Sequence, residues 1–482
     1  MSAALSGHEP SAPDTAPGAA PKAAPAMPEI ARARLDRPAL TGAFERRAST
    51  HWFARRPEPV DDAQARFAEL LAMPRTGKTV AYLHVPFCAN HCLFCGFYRN
   101  SARGDFSARY TASLVADLAL HADRPAIASG PVHAVYLGGG TPTALTARDL
   151  FTLIQAVRCH LPLAPDCEIT VEGRIHGFDD EKVIACLDAG ANRFSIGVQS
   201  FDTALRQRLG RKADRARAER FMADLVAHDR AAVVCDLIYG LPGQTLETWL
   251  DDVQTVAELG LDGVDLYALT RIPDSPLDKS IAKGALPPAA DLGQQAERYA
   301  AGRALLDASG WRQLSQAHWA RTPRERNLYN HLIKAQATGL AFGAGAGGGL
   351  AGHRYAVEAD VDAYAAAIAQ GTKPLSFLFR PMAGADWRGA IAATLETGRI
   401  APARIARLAG PERGERLTAA LAPLLDHWQA ARLIAPAPGG YALTAAGWFW
   451  QTNLIAGLQQ IMVGLDHRPD AAPSTQETRS HG

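Results

Sequence analysis

No stretch of this chain reaches about 18 consecutive apolar residues, so the sequence reads against a membrane-spanning helix. There is no excess of either charge. Lys plus Arg total 50 and Asp plus Glu 49, for a formal net charge of +1, which reads against a polybasic nucleic-acid binder or an acidic tail protein. The N-terminus lacks a basic region followed by an apolar core, so secretion is not expected. Cysteine is sparse and odd in number, seven in 482 residues, which reads against a disulfide framework and for a reducing, cytoplasmic compartment. Aromatic residues are absent from the first 40 positions, where 12 Ala and 7 Pro dominate. Such a segment offers little apolar surface to offset its ordering entropy, and residues 1–42 are expected to be a disordered tail. The polar residues 467–482 are expected to behave the same way.

Between the tails, a rhythm is present. Short apolar, β-branched runs recur at 80–85, 132–137, 167–172, 193–198, 232–238 and 263–269. Helical patterns at 107–122, 146–160, 179–189, 213–228 and 245–258 separate most of them. Strands alternating with helices imply βαβ units, a parallel sheet and an α/β fold. The six units form an open sheet or a partial barrel, and in either case ligands are expected at the C-terminal strand ends. After a lead-in at 43–79, the barrel is expected over 80–300, with a post-barrel extension at 301–375. From 376 to 466 the pattern becomes mostly helical. Three helices and a small hairpin around Gly439-Gly440 suggest either a winged-helix-like module or a plain helical cap, without the basic face that DNA binding needs.

The strongest local feature is Cys88-Ala-Asn-His-Cys92-Leu-Phe-Cys95, directly after the first strand. Three thiolates in one tight loop select zinc or an iron–sulfur cluster. Zinc needs a fourth ligand, which His84 or His91 could supply. A Cys-x-x-Cys redox pair leaves Cys88 without a role. A 4Fe-4S cluster held by three cysteines leaves one iron open to an exogenous ligand. Cys159, Cys167, Cys186 and Cys235 are scattered and read as packing residues. Further polar or glycine-rich segments fall at the other strand ends. These are Gly138-Gly139-Gly140-Thr141-Pro142-Thr143, Glu172-Gly173-Arg174, the segment ending Gln199-Ser200, Leu209-Gly210-Arg211, the run from Asp236 to Gly240, and the run from Asp265 to Ala268.

The cysteine triplet resembles the signature of the radical S-adenosylmethionine (SAM) superfamily. That resemblance implies a partial (β/α)6 barrel, a 4Fe-4S cluster on Cys88, Cys92 and Cys95, SAM bound to the open iron, and reductive cleavage of SAM to a 5′-deoxyadenosyl radical. Phe94 matches the aromatic position flanking the adenine, and Gly138, Gly139 and Gly140 match the motif that contacts the SAM amino group. In register, the strand-end segments are similar to the branch containing oxygen-independent coproporphyrinogen III oxidases and haem chaperones. Tyr82, Gly139, Glu172 and Ala268 match positions holding the cluster-bound SAM. Gly140, Thr141, Gln199, Arg211 and Asp236 match positions holding a second SAM in the oxidases.

Three departures narrow the likeness. Gly96-Phe97-Tyr98-Arg99-Asn100 follows the last cysteine, Glu172-Gly173-Arg174 replaces the usual Glu-x-x-Pro, and the His-Asn-x-x-Tyr-Trp pattern after the barrel is missing its His and Trp. These features resemble the haem-utilisation radical SAM methyltransferases of the HutW/ChuW type. That implies a haem or related tetrapyrrole partner, anaerobic ring opening to a methylated linear tetrapyrrole, and a reduced flavodoxin- or ferredoxin-type electron donor. An oxidase-like enzyme and a non-catalytic haem chaperone remain the alternatives. Arg321, Arg324 and Arg326 are then candidates to clamp propionates bidentately. His318, Tyr329, His331 and His353 are candidate iron ligands, and the glycines of 343–349 are expected to lie against a ring face.

Overall fold

The protein is described by a computed structural model over residues 27–48, 57–96, 98–102, 104–382 and 384–466. The expected tails at 1–26 and 467–482, and Phe97 of the motif after the last cysteine, lie outside the described residues.

Six strands form the centre: β1 (Thr79–Val85), β2 (Val132–Gly139), β3 (Leu163–Gly173), β4 (Arg193–Gln199), β5 (Ala232–Tyr239) and β6 (Gly263–Ala268). They pair in parallel and in chain order. The outward residues of these strands are apolar and buried beneath helices α1 (Phe106–Leu120), α2 (Ala147–His160), α3 (Asp180–Ala189), α4 (Arg215–Ala227), α5 (Leu246–Glu258) and α6 (Leu292–Ala308). Helix starts follow local chemistry. Thr146, Asp179, Asp214, Thr245 and Asp291 each accept a hydrogen bond from an amide in the first turn, satisfying a donor that the helix itself leaves unpaired.

The sheet extends beyond these units. Beyond β6 come β7 (Arg312–Gln313) and β8 (His318–Ala320): β8 pairs antiparallel with β6, and β7 pairs antiparallel with β8 at the sheet edge. On the other edge β9 (Thr338–Phe342) adds a seventh parallel strand against β1, followed by antiparallel β10 (Gly347–Leu350), β11 (His353–Val357) and β12 (Leu375–Phe379). The result is one 12-stranded sheet, ordered β12-β11-β10-β9-β1-β2-β3-β4-β5-β6-β8-β7. The short helix α7 (Leu328–Lys334) packs on β1 and β2. Its first amides donate to the Glu168 carboxylate at 3.1 and 3.2 Å.

The C-terminal module has the helix–strand–helix–helix–strand–strand order of a winged helix. It comprises α8 (Ala385–Glu396), β13 (Arg399–Ile400), α9 (Pro402–Ala409), α10 (Pro411–Ala430), β14 (Ile434–Ala437) and β15 (Gly440–Leu443), with a three-stranded sheet β13-β15-β14. α11 (Gln451–Asp466) follows.

Two expected boundaries need correction. Residues 27–42 are not a disordered tail. Ala31 is fully buried against α11, and Trp428 donates to its carbonyl at 2.9 Å. Trp450 Nε1 donates to the carbonyls of Ala39 and Leu40. The segment lacks aromatics of its own and orders on those supplied by the C-terminal module. The boundary at 375/376 also fails, because β12 crosses it as part of the main sheet, and Val60 of the lead-in bonds to Leu378.

Candidate active site

The cysteine loop emerges from β1 and folds over the C-terminal ends of β2–β4. Glycine is required where the two meet: a Cβ on Gly140 would stand 2.7 Å from the Phe87 carbonyl oxygen, and one on Gly139 2.6 Å from the His84 ring. Gly139 also has φ +112, a region favouring glycine. The loop is tied at its far side by Asn90 Nδ2 to the Gly210 carbonyl (2.8 Å) and by Leu93 N to the Leu209 carbonyl (3.3 Å). Cys88 and Cys92 are buried and Cys95 is half-buried.

Polar groups face two of the sulfurs. Thr141 Oγ1 lies 3.3 Å from Cys88 Sγ, and Arg174 Nη2 donates to Cys92 Sγ at 3.0 Å. Burial pushes the Cys88 thiol up, while the Thr141 hydrogen bond and the Arg174 charge oppose it. Arg211 is buried behind the loop, bonded to the Gly197 carbonyl at 2.7 Å, with its guanidinium 5.7 Å from the Phe94 ring centre. Among the described residues, no three His, Cys, Asp or Glu side chains converge on a single-ion site. His84 and His91 are engaged elsewhere: His84 Nδ1 with Tyr82 Oη at 2.9 Å, His91 Nε2 with the Cys95 carbonyl at 3.1 Å. Three cysteines on one strand-end loop, with cationic donors behind them, form a donor set that fits an iron–sulfur cluster rather than a tetrahedral zinc.

The strand ends around the loop hold the SAM candidates together. Tyr82 lies on β1, Gly138 and Gly139 at the end of β2 with Gly140 and Thr141 just beyond, Glu172 on β3, Gln199 on β4, Asp236 on β5 and Ala268 on β6. Glu172 Oε2 accepts a 3.4 Å hydrogen bond from Gly139 N, and a Cβ on Gly138 would meet the same carboxylate. Burial, then the charge of Asp236, raises Glu172 to about 8. Asp236 accepts from Ser195 Oγ at 3.3 Å and is raised to about 7 by burial and by Asp265. Gln199 sits at a bulge with φ +75, an unfavourable value for a residue with a Cβ that marks a locally strained strand end.

Deeper in the barrel, Tyr82, Tyr136 and Tyr329 form an aromatic wall. The Tyr329 ring centre lies 5.0 Å from Tyr136 and 6.3 Å from Tyr82. Burial raises the phenol pKa of all three above the ordinary value, so they are neutral at physiological pH. Beneath lies a buried charge network. Arg193 Nε bonds to Glu325 at 2.9 Å, Glu325 Oε1 lies 3.0 Å from His318 Nε2, and His318 Nδ1 lies 2.9 Å from Asp265. Burial alone would lower His318, but Asp265 and Glu325 overcome it and raise it to about 9. Burial would raise Glu325, but Arg193 and His318 hold it at about 2.

The candidate substrate residues separate here. Tyr329 faces the barrel interior. His318 is fully buried with both ring nitrogens facing carboxylates, so it has no face left for iron. The three arginines lie at the opposite, N-terminal end of the strands. Arg321 binds the Leu261 and Gly260 carbonyls, Arg324 pairs with Asp229, and Arg326 pairs with Asp166 at 3.0 Å. They close the barrel base and form no propionate clamp. His353 lies on the edge hairpin, bonded to the Ala351 carbonyl, and His331 lies on α7. The glycine run does not present a flat backbone face. It forms a turn and β10, where a Cβ on Gly348 would strike the Tyr355 ring. The sequence reading missed Arg193, Asp265 and Glu325 as a unit. The available signal was a single charged residue in each of the largely apolar strands β4 and β6, Arg193 and Asp265.

The radical SAM superfamily profile matches residues 82–256. The chain is 45% identical over 398 residues to anaerobilin synthase of Escherichia coli O157:H7, spanning 82% of this chain and 86% of that protein. It is 32% identical over 358 residues to the heme chaperone HemW of Mycobacterium tuberculosis strain H37Rv, spanning 73% and 90% respectively. The fold superposes on coproporphyrinogen III oxidase (HemN) from Escherichia coli with a TM-score of 0.71 at 21% identity, covering 84% of this chain and 94% of that one. No helix among the described residues is long and apolar enough to cross a membrane. With a cysteine loop over a six-stranded parallel barrel and these likenesses, the chain belongs to the radical SAM superfamily, an enzyme whose cofactors are a 4Fe-4S cluster and SAM.

Proposed function

We propose that this protein is a radical SAM methyltransferase that opens the haem macrocycle without oxygen, releasing iron and leaving a methylated linear tetrapyrrole. The observation that carries the reading is the 45% identity to anaerobilin synthase over 86% of that protein, against 32% for the heme chaperone. Cys88, Cys92 and Cys95 would hold the 4Fe-4S cluster, which, reduced by a flavodoxin- or ferredoxin-type donor in the cytoplasm, would supply one-electron chemistry toward SAM.

The chain's own residues bind, orient and exclude water. Glu172, once ionised, takes a SAM ammonium, while Gly138, Gly139 and Gly140 let backbone approach it. Thr141, Gln199, Arg211, Asp236 and Ala268 complete the ring of strand-end contacts, and Phe94 supports the adenine. The neutral phenols of Tyr82, Tyr136 and Tyr329, inclined to one another by 27–39°, offer an aromatic surface suited to contact with a tetrapyrrole.

The test is an anoxic incubation of reconstituted protein with SAM, reductant and haem. The expected result is loss of the Soret band, free iron and a linear tetrapyrrole heavier by a methyl group. Cys88→Ala, Cys92→Ala or Cys95→Ala abolishes both SAM cleavage and haem loss. Stoichiometric haem retained without product overturns the reading in favour of a chaperone. Conversion of coproporphyrinogen in its place overturns it in favour of an oxidase.

A further inference from the structure

The three thiols of the loop do not share one environment. Cys88 faces the Thr141 hydroxyl, a neutral partner at 3.3 Å. Cys92 faces a guanidinium: Arg174 Nη2 stands 3.0 Å from its sulfur. Arg174 is not a mobile surface cation that happens to reach this point. Its Nη1 donates to the Asn90 carbonyl and its Nη2 to Asn90 Oδ1, both at 3.2 Å, and Asn90 is itself fastened to Gly210. The cysteine loop therefore holds the cation that faces its own middle cysteine. No ion pair with a carboxylate is recorded for Arg174 among the described residues. Its charge is directed at sulfur. Arg174 follows directly on the last residue of β3, two positions after Glu172, so the strand end itself delivers the guanidinium to the loop.

We propose that Arg174 is a positioning residue that sets the reduction potential of the cluster, by donating an N–H hydrogen bond to the Cys92 thiolate and placing a positive charge beside it. Potentials of thiolate-bound clusters depend on net charge, on hydrogen bonds to sulfur and on solvent exposure. Uptake of an electron makes the cluster more negative. A fixed cation and a charge-assisted donor on one ligand sulfur favour that reduced state over the oxidised one. Arg174 thus raises the potential and makes the cluster easier to reduce by a weak donor, at the expense of driving force for the electron's onward transfer. The inference rests on the cluster and not on haem as the substrate, so it stands or falls separately from the proposed reaction.

The experiment is an EPR-monitored redox titration of the reconstituted full-length protein, with iron and sulfide counted in each variant. Arg174→Gln removes the charge, and Arg174→Lys keeps it while breaking the fork held by Asn90. Arg174→Gln is expected to shift the reduction equilibrium about tenfold toward the oxidised cluster, a fall of ~59 mV for one electron, while Arg174→Lys retains most of the wild-type value. Lys212, an exposed neighbour lining the same cavity without touching a cysteine sulfur, is the control, and Lys212→Gln is expected to leave the potential in place. An unchanged potential in a fully loaded Arg174→Gln protein overturns the proposal. So does an equal shift in Lys212→Gln, which would make the effect a general surface field. Failure of both Arg174 variants to hold a cluster in a folded chain assigns Arg174 to loop structure alone, and also overturns it.

Discussion

The mouth and the floor of the barrel both bury charge, and they treat it in opposite ways. At the floor, Arg193, Glu325, His318 and Asp265 form a closed chain in which each charged group faces an opposite one. Glu325 is held far below the ordinary carboxylate range and His318 well above the ordinary imidazole range. At the mouth, Glu172 and Asp236 are pushed up to about 8 and 7, because burial, joined by the charge of Asp236 at Glu172 and of Asp265 at Asp236, outweighs the cations. The floor is complete without a ligand. The mouth has carboxyls that ionise at ease only when a positive group arrives, and thiols whose cationic neighbours suit an anionic cluster. The contrast separates structural charge from functional charge, which a perturbed pKa alone does not do.

The largest expected effect comes from breaking the floor. Glu325→Gln leaves Arg193 and His318 buried without their shared anion, and removing one partner of such a pair destabilises by about 3–5 kcal/mol. Chemical denaturation of the cluster-free protein would show the loss, whereas Cys88→Ala, at the mouth, should shift that cluster-free curve much less, since it deletes one small side chain and breaks no buried ion pair. Equal destabilisation by both changes would erase the distinction between the two regions.

A smaller effect is expected with pH. His318 has a folded pKa of about 9, above the unfolded value near 6.5. Its contribution is therefore fully present below the unfolded value and lost as pH rises through 9. Glu172 and Asp236, also raised, contribute in the same sense, losing stability as pH rises from the ordinary carboxyl range through about 8 and 7. Stability of the cluster-free protein should fall from the ordinary carboxyl range up to about pH 9, with a slope approaching ~1.4 kcal/mol per pH unit for each proton released. His318→Asn should flatten the alkaline half of that slope. SAM, by pairing with ionised Glu172, should flatten the remainder.

The smallest effect is expected at the base arginines. Arg326 pairs with the exposed Asp166, and such surface pairs contribute about 0–1 kcal/mol. Arg326→Ala should leave haem turnover and haem affinity unchanged within error. A tenfold loss of haem affinity would return this arginine to the substrate site.

The parts of the site that were legible in sequence are those whose residues are contiguous. Eight positions from Cys88 to Cys95 carry the three cysteines of the loop, and each candidate SAM segment follows its own strand. The six parallel strands were legible because both faces of each are covered, which makes them continuous apolar runs. β9 was not, since Thr338–Phe342 is short, carries Gly339 inside it and is recognisable only by its pairing with β1. The arginines of 321–326 looked like a clamp because their spacing is favourable, but spacing along the chain does not say which end of a barrel a loop reaches.

By itself, then, the sequence determined the make-up of the mouth: where the three cysteines stand, where glycine must stand, and the order of the strands. Those features depend on neighbours within a few residues, whose geometry the local backbone dictates. Tertiary structure decided the rest. It joined Arg193 to Glu325 across 132 positions, carried Tyr329 beneath Tyr82 and Tyr136, seated Ala31 under Trp428, and brought Arg174 to the sulfur of Cys92. Each of these contacts crosses elements distant in the chain, and their energies come from burial and charge compensation that exist only once the barrel has closed around them.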